Sequence, residues 1–114
     1  MRMMEVLNSY KNDEPHIELN VGDVVLLGED SCADGLYPNW VFCTSERTGR
    51  KGWVSKHIFS EESGRGIVME NYTSKEMAVK AGDKVTAVYE LNGWYWCVRK
   101  ADGERGWVAK DNLN

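Results

Sequence analysis

The chain has 114 residues, 42% of them apolar and 28% charged, with a net charge of -4; this is the composition of a globular protein, large enough for one ordinary domain or two very small ones. No apolar run is long enough to cross a bilayer, and the opening MRMMEVLNSYKNDE brings in charges too early for a secretory signal, so a cytoplasmic protein with no membrane partner is expected. Acidic charge is concentrated early, with six basic against eleven acidic residues up to Ser63 and eight against seven from Gly64 onward, which disfavours a polyanion as partner of the first half.

In chain order, VLNSY ending at Tyr10 reads as a short strand, and KNDEPHIE, with Asp13 and Glu14, as an acidic loop. IELNVGDVVLL from Ile17 alternates apolar and polar residues around a Gly-Asp turn. GEDSCADGLYPN reads as a long loop carrying Cys32, Tyr37 and Pro38. NWVFCTSERTGRKGW from Asn39 reads as a hairpin turning at Thr48-Gly49, after which KHIF closes the segment. SEESGRG, Ser60 to Gly66, reads as a linker. The series then returns as VMENY ending at Tyr72, TSKE, MAVKAGDKVTAV from Met77, a short YELNG, GWYWCVRKADGERGW from Gly93, and KDNL. In the two hairpins Trp falls on Trp, Cys on Cys and Gly on Gly. A repeat with one variable loop is a duplicated domain.

Val, Ile, Trp, Tyr and Thr dominate the segments and no window has a helical period, so the expected class is all-β. Small all-β units must manage their sheet edges, most simply by closing into barrels. The expected organisation is a barrel over residues 1–59, a linker over 60–66 and a second barrel over 67–114. A flexible link of that length spans only about 15 Å, which predicts two five-stranded barrels packed side by side. Each is small enough to be marginal alone.

The order of motifs resembles the Src homology 3 family, a five-stranded barrel that binds proline-rich peptides, and the resemblance covers nearly the whole chain twice. The residues that carry it are VLNSY, KNDEPHIE, VGDVV, NWV, KGWVS and KHIF, then VMENY, TSKE, AGDKV, GWYW, RGWVA and KDNL. The resemblance implies a first core of Val6, Ile17, Leu19, Val25, Leu27, Cys43, Val54 and Phe59. It implies a second of Val68, Met77, Val79, Val85, Ala87, Cys97, Val108 and Leu113. The family groove maps to Asn8, Tyr10, Trp40, Trp53, Ser55 and Ile58, and to Glu70, Tyr72, Trp94, Trp107, Ala109 and Asn112. Each copy keeps a Tyr and two Trp but loses the first Tyr, the Pro and the last Tyr. A polyproline II ligand lies between aromatic walls, so a weakened or altered specificity is implied.

Trp40 and Trp94 read as peptide-docking platforms, or as packing between the barrels. Trp53 and Trp107 read as groove walls, or as covers for the barrel, while Phe42 and Trp96 fall at an outer position. Asp13, Glu14 and Glu18 read as partners for a basic ligand residue, or as a solvated acidic loop. Cys43 and Cys97 read as core thiols, since no histidine accompanies either in the repeat, and Cys32 reads as exposed in its loop. Three cysteines without Cys-x-x-Cys, and the distant His16 and His57, leave no metal site, and no cofactor motif or catalytic constellation occurs.

The sequence therefore predicts a non-enzymatic tandem adaptor or scaffold that binds a peptide segment of a partner protein. Its principal site is expected on the first barrel, through Tyr10, Asp13, Glu14, Trp40, Trp53 and Ile58, with Tyr72, Trp94 and Trp107 in the second. The alternatives are a single-strand nucleic-acid binder and a structural part of a larger assembly. The first of these would use Trp94, Tyr95, Trp96 and Trp107 beside Arg99, Lys100, Arg105 and Lys110, although the near-neutral second half makes nucleic acid the weaker reading.

Overall fold

The computed structural model describes residues 2–31, 34–35 and 38–114. In chain order its strands are β1 (Arg2–Glu5), β2 (Glu18–Leu19), β3 (Val24–Asp30), β4 (Trp40–Ser45), β5 (Lys51–Ser55), β6 (Phe59–Glu62), β7 (Arg65–Val68), β8 (Tyr72–Thr73), β9 (Lys84–Leu91), β10 (Trp94–Arg99) and β11 (Arg105–Ala109), and a single 3-10 turn covers Lys110–Asn112. The architecture is all-β, as the alternating pattern and β-branched content predict. Cys32 and Tyr37, expected in an exposed loop, lie outside the described residues.

The chain forms two compact units that do not follow the repeat. One is continuous, Glu14–Ser74, and the other is assembled from Met1–Asp13 and Lys75–Asn114. The continuous unit contains the five-stranded sheet β5-β4-β3-β7-β6 and the β2-β8 ribbon. The discontinuous unit contains the sheet β1-β9-β10-β11, extended by the bridges Val6↔Leu113 and Tyr10↔Val79. Each unit therefore takes its opening strand from the other repeat. β1 pairs antiparallel with β9, and β7 pairs with β3 and β6.

The compact units thus divide the chain differently from the repeat expected at 1–59 and 67–114. The expected linker, 60–66, is a tight β-hairpin in which Glu62 faces Arg65 across Ser63-Gly64. Ser63 and Gly64 have φ of 53° and 79°, the left-handed pair required by a two-residue turn whose twist matches its strands. Asn92-Gly93 makes the same kind of turn between β9 and β10, where Leu91 faces Trp94. The Thr48-Gly49 and Asp102-Gly103 turns are longer than two residues: Gly49 N–H bonds to the Ser45 carbonyl, and Gly103 N–H to that of Arg99, both at 2.8 Å.

The core residues implied by the resemblance are buried, apart from Leu27, which is half-buried. The exchange redistributes two of them. Val6 packs with Met4, Met77, Val79, Val85, Ala87, Cys97, Val108 and Leu113 in the discontinuous unit. Val68 sits opposite Phe59 in the continuous one. Burying a side chain such as Val85 or Val25 completely contributes about 1.5–3 kcal/mol, which is why alternate positions on these short strands must all be apolar.

Candidate functional site

The strand exchange re-sorts the residues expected to line each groove. In the discontinuous unit Tyr10 and Asn8, from the first repeat, join Trp94, Trp107, Ala109 and Asn112 from the second. In the continuous unit Tyr72 joins Trp40, Trp53, Ser55 and Ile58. Asp13 falls in the first set and Glu14 in the second, both on exposed chain.

In the continuous unit, Trp40, expected as a docking platform, is only 6% exposed. Ser31 folds back onto the start of β4, receiving the Trp40 N–H on its Oγ at 3.0 Å and donating its own N–H to the Trp40 carbonyl at 2.8 Å. Ile58, expected as an apolar wall, is a core residue at 2% exposure. Its N–H donates to the Ser55 carbonyl and its carbonyl accepts from Met69 N–H, which turns the side chain inward. Ser55 replaces the family proline and is itself buried, with its hydroxyl accepting the His57 N–H at 3.2 Å. Among the described residues the exposed indole of this unit is Trp53, 41% exposed and edge-on to Phe42 at 5.3 Å, with the Tyr72 hydroxyl donating to the Trp53 carbonyl at 3.1 Å.

The discontinuous unit keeps more of its face open. Tyr10 is 45% exposed and Trp94 half-buried, at the position equivalent to the buried Trp40. Trp94 faces Ala109 across the β10–β11 pair. Glu76 accepts a hydrogen bond from the Tyr10 hydroxyl at 3.2 Å and another from the Asn12 amide. Desolvation, and then the Glu76 charge, push the Tyr10 phenol above its ordinary pKa of 10.0. Asn8 and Asn112, where the family has two tyrosines, clasp each other. The Asn8 N–H donates to Asn112 Oδ1 at 2.9 Å, and Asn112 Nδ2 donates to the Asn8 carbonyl at 2.9 Å. One aromatic slot is thus replaced by a polar bridge. Trp107, expected as a wall, is 4% exposed, with Trp96 and Tyr89 edge-on at 5.2 and 5.6 Å.

Tyr89 is 52% exposed and was not singled out by the sequence. Its counterpart in the first repeat is Glu29, so the repeat alignment hides it; the available signal was an aromatic one position beyond the regular alternation of β9. Glu76 was also missed as a site residue, since its partner Tyr10 lies in the other repeat.

Two of the four basic residues singled out in the second repeat, Arg99 and Lys110, are paired with carboxylates. Arg99 pairs with Asp102 at 3.0 Å, with Asp83 at 3.5 Å and with Glu104, and Lys110 pairs with Glu90 at 3.3 Å. Cys43 and Cys97 are free thiols at 0% exposure, and burial pushes their pKa values from 9.0 to about 12 and about 11. A thiolate nucleophile is disfavoured at both. Among the described residues no cluster of His, Cys, Asp and Glu could hold a metal ion, and no helix is long and apolar enough to cross a membrane.

The variant SH3 domain family model matches residues 3–62 and again residues 65–114. The chain belongs to this family. No curated protein and no solved structure matches it. SH3-like domains generally mediate protein interactions and are typically non-catalytic modules that commonly bind peptides. The two SH3 matches follow the sequence repeat, whereas the two folded SH3-like units each combine parts of both matches.

Proposed function

We propose that the protein is a non-enzymatic adaptor whose discontinuous unit binds an extended, basic, proline-containing segment of a partner protein. The observation that carries this is the exposed Tyr10, with the Glu76 carboxylate at its hydroxyl, in the same unit as the half-buried Trp94. An indole and a phenol on one unit suit the ridges of a polyproline II helix, and a carboxylate at the Tyr10 hydroxyl suits an Arg or Lys that follows. The Asn8–Asn112 clasp removes one slot, so affinity is expected on the order of tens of micromolar, above the micromolar level worth about -8 kcal/mol.

This reading puts the principal site at Trp94 where the sequence suggested Trp40, because Trp40 is buried and Trp94 only half-buried. Chemical-shift mapping with Arg-containing and Gln-substituted proline peptides tests this. Shifts should centre on Tyr10, Trp94 and Glu76 and weaken with the Gln peptide, and Trp94→Ala should lower affinity at least about tenfold. Shifts confined to Trp53 and Tyr72 would transfer the site to the continuous unit. The nucleic-acid reading draws little support from a surface whose Arg99 and Lys110 are already paired with carboxylates, and a low-salt oligonucleotide titration separates it from peptide binding.

A further inference from the structure

Two opening strands in this chain compete for two equivalent seats. In the repeat Val6 corresponds to Val68 and Tyr10 to Tyr72, which sets Met4 against Gly66 and Glu5 against Ile67. A repeat that closed on itself would seat β1 beside β3 and β7 beside β9. The structure seats them the other way round.

Size distinguishes the seats. Gly66 faces Val25, and a Cβ at Gly66 would meet Phe59 Cδ2 at 2.7 Å and Val25 Cγ2 at 2.9 Å. That seat excludes any side chain, so Met4 does not fit it. In the other seat Met4 is buried against a core that includes Val85 and Leu113, and Leu113 stands where the first repeat has Phe59. A glycine there would leave the volume of the Met4 side chain empty. Charge agrees with size. Glu5 faces Lys84 and pairs with it, while Ile67 faces Val24. The reverse seating would set the Glu5 carboxylate against Val24, and Ile67 against the Lys84 ammonium, forfeiting both matched cross-strand pairs. The Asn8–Asn112 clasp makes a third match, because the corresponding residues are Glu70 and Ile58.

We propose that these matched positions commit the chain to cross-repeat closure, so that Tyr10 of the first repeat joins the unit of Trp94 and Tyr72 of the second joins the unit of Trp53. The inference concerns how the faces are built and stands whether or not either binds a peptide.

The full-length double variant Met4→Gly/Gly66→Met reverses the size match. In the wild type, cross-strand nuclear Overhauser contacts link Met3 with Thr86 and Arg65 with Leu26. In the variant, residue 3 is expected to contact Leu26 and residue 65 to contact Thr86. Wild-type contacts with an unchanged melting midpoint would overturn the proposal. A dimer of the variant that shows the reversed contacts supports it, since the seat preference is what is tested. Should the double variant not fold, Gly66→Ala decides. It should lower the wild-type midpoint by about 5 °C or more, and Phe59→Leu should be less damaging in that background than in the wild type. A tolerated Gly66→Ala, or strictly additive effects, would sink the size argument.

Discussion

Asp23 and Asp83 occupy the same place in the two Gly-Asp turns and show why that dipeptide recurs. Gly22 and Gly82 have φ of 90° and 92°, a region where a side chain is strained, and each aspartate then closes its turn. Asp23 accepts the Asn20 N–H at 3.0 Å and Asp83 the Lys80 N–H at 3.0 Å, as short acidic side chains do in tight turns. Hydrogen bonds from Arg47, then from the Asn20 backbone, hold the Asp23 carboxyl below its ordinary 3.8. The folded form thus favours the ionised group, so its stabilisation is complete above 3.8 and is lost as pH falls through the lower folded value. Asp23→Ala should cost about 1–2 kcal/mol at neutral pH, and the gap to wild type should narrow in strong acid, as read from denaturant midpoints. The buried thiols have the opposite sense. Cys43 and Cys97 stay protonated in the folded state up to about 12 and about 11, whereas unfolded thiols ionise near 9.0. The unfolded chain therefore binds fewer protons between these values, and stability should fall as pH rises above 9.0. The loss is up to about 1.4 kcal/mol per pH unit for each thiol, and Cys43→Ala should flatten the slope while costing stability at neutral pH. Native thiol labelling at neutral pH should leave both unmodified.

Among the elements, the two-residue hairpins fix which consecutive strands are neighbours. Ser63-Gly64 turns the chain back so that β7 pairs with β6 in the continuous unit. Asn92-Gly93 does the same for β9 and β10, and its 46° and 92° φ values suit Asn and Gly specifically. Gly64→Val and Gly93→Val should each destabilise by about 1–2 kcal/mol, because a β-branched residue resists positive φ. Melting midpoints measure this. Glycine at position 52, within β5, has a different cause: a Cβ would meet Ile17 Cγ2 at 2.8 Å, so the constraint is close approach and not backbone angle. Gly106, against Met77, is the matching case in the discontinuous unit. The basic-Gly-Trp signature shared by both hairpins is in this light a packing requirement, and the expected groove wall Trp107 is buried beside it.

For the whole molecule, connectivity makes the two units unequal. The continuous unit owns all of its strands within Glu14–Ser74, so excised residues 14–74 should fold alone, with a strand-type far-UV spectrum and a cooperative melt. Fragments split at Ser63-Gly64 should not each rebuild a matched unit, but should co-fold on mixing, since each unit needs strands from both. Loop closure adds a direction to the dependence. Ser74 N–H bonds to the Ile17 carbonyl at 3.0 Å, and Ile17 N–H to Ser74 Oγ at 2.9 Å, which holds the ends of the continuous unit together. When it is folded, the discontinuous unit closes a loop of a few residues; when it is unfolded, the loop is some sixty residues, costing about 2 kcal/mol more. A core lesion such as Phe59→Ala should therefore weaken the discontinuous unit also, with hydrogen exchange at Val85 and Cys97 rising with that at Val25. Net charge follows the same division. The continuous unit has five basic and ten acidic residues, net -5, and the discontinuous one nine and eight, net +1.

Alternation, β-branched content and the doubled motif order determined the all-β class, the two-unit count, the family and nearly every core position, because each depends on a local period or on a residue type that burial demands. Cys43, Cys97, Val25 and Val85 were legible for that reason. The pairing of strands was not, because the repeat makes β1 and β7 look interchangeable and a motif comparison reads only along the chain. Only the packed structure shows that a methionine fits beside Leu113, that nothing larger than glycine fits beside Phe59, and that Glu5 finds Lys84. The same holds for the candidate site. The residue types of the aromatic positions were readable, but how deeply Trp40 and Trp94 are buried, and which tyrosine joins the unit of which tryptophan, depends on contacts between residues far apart in sequence.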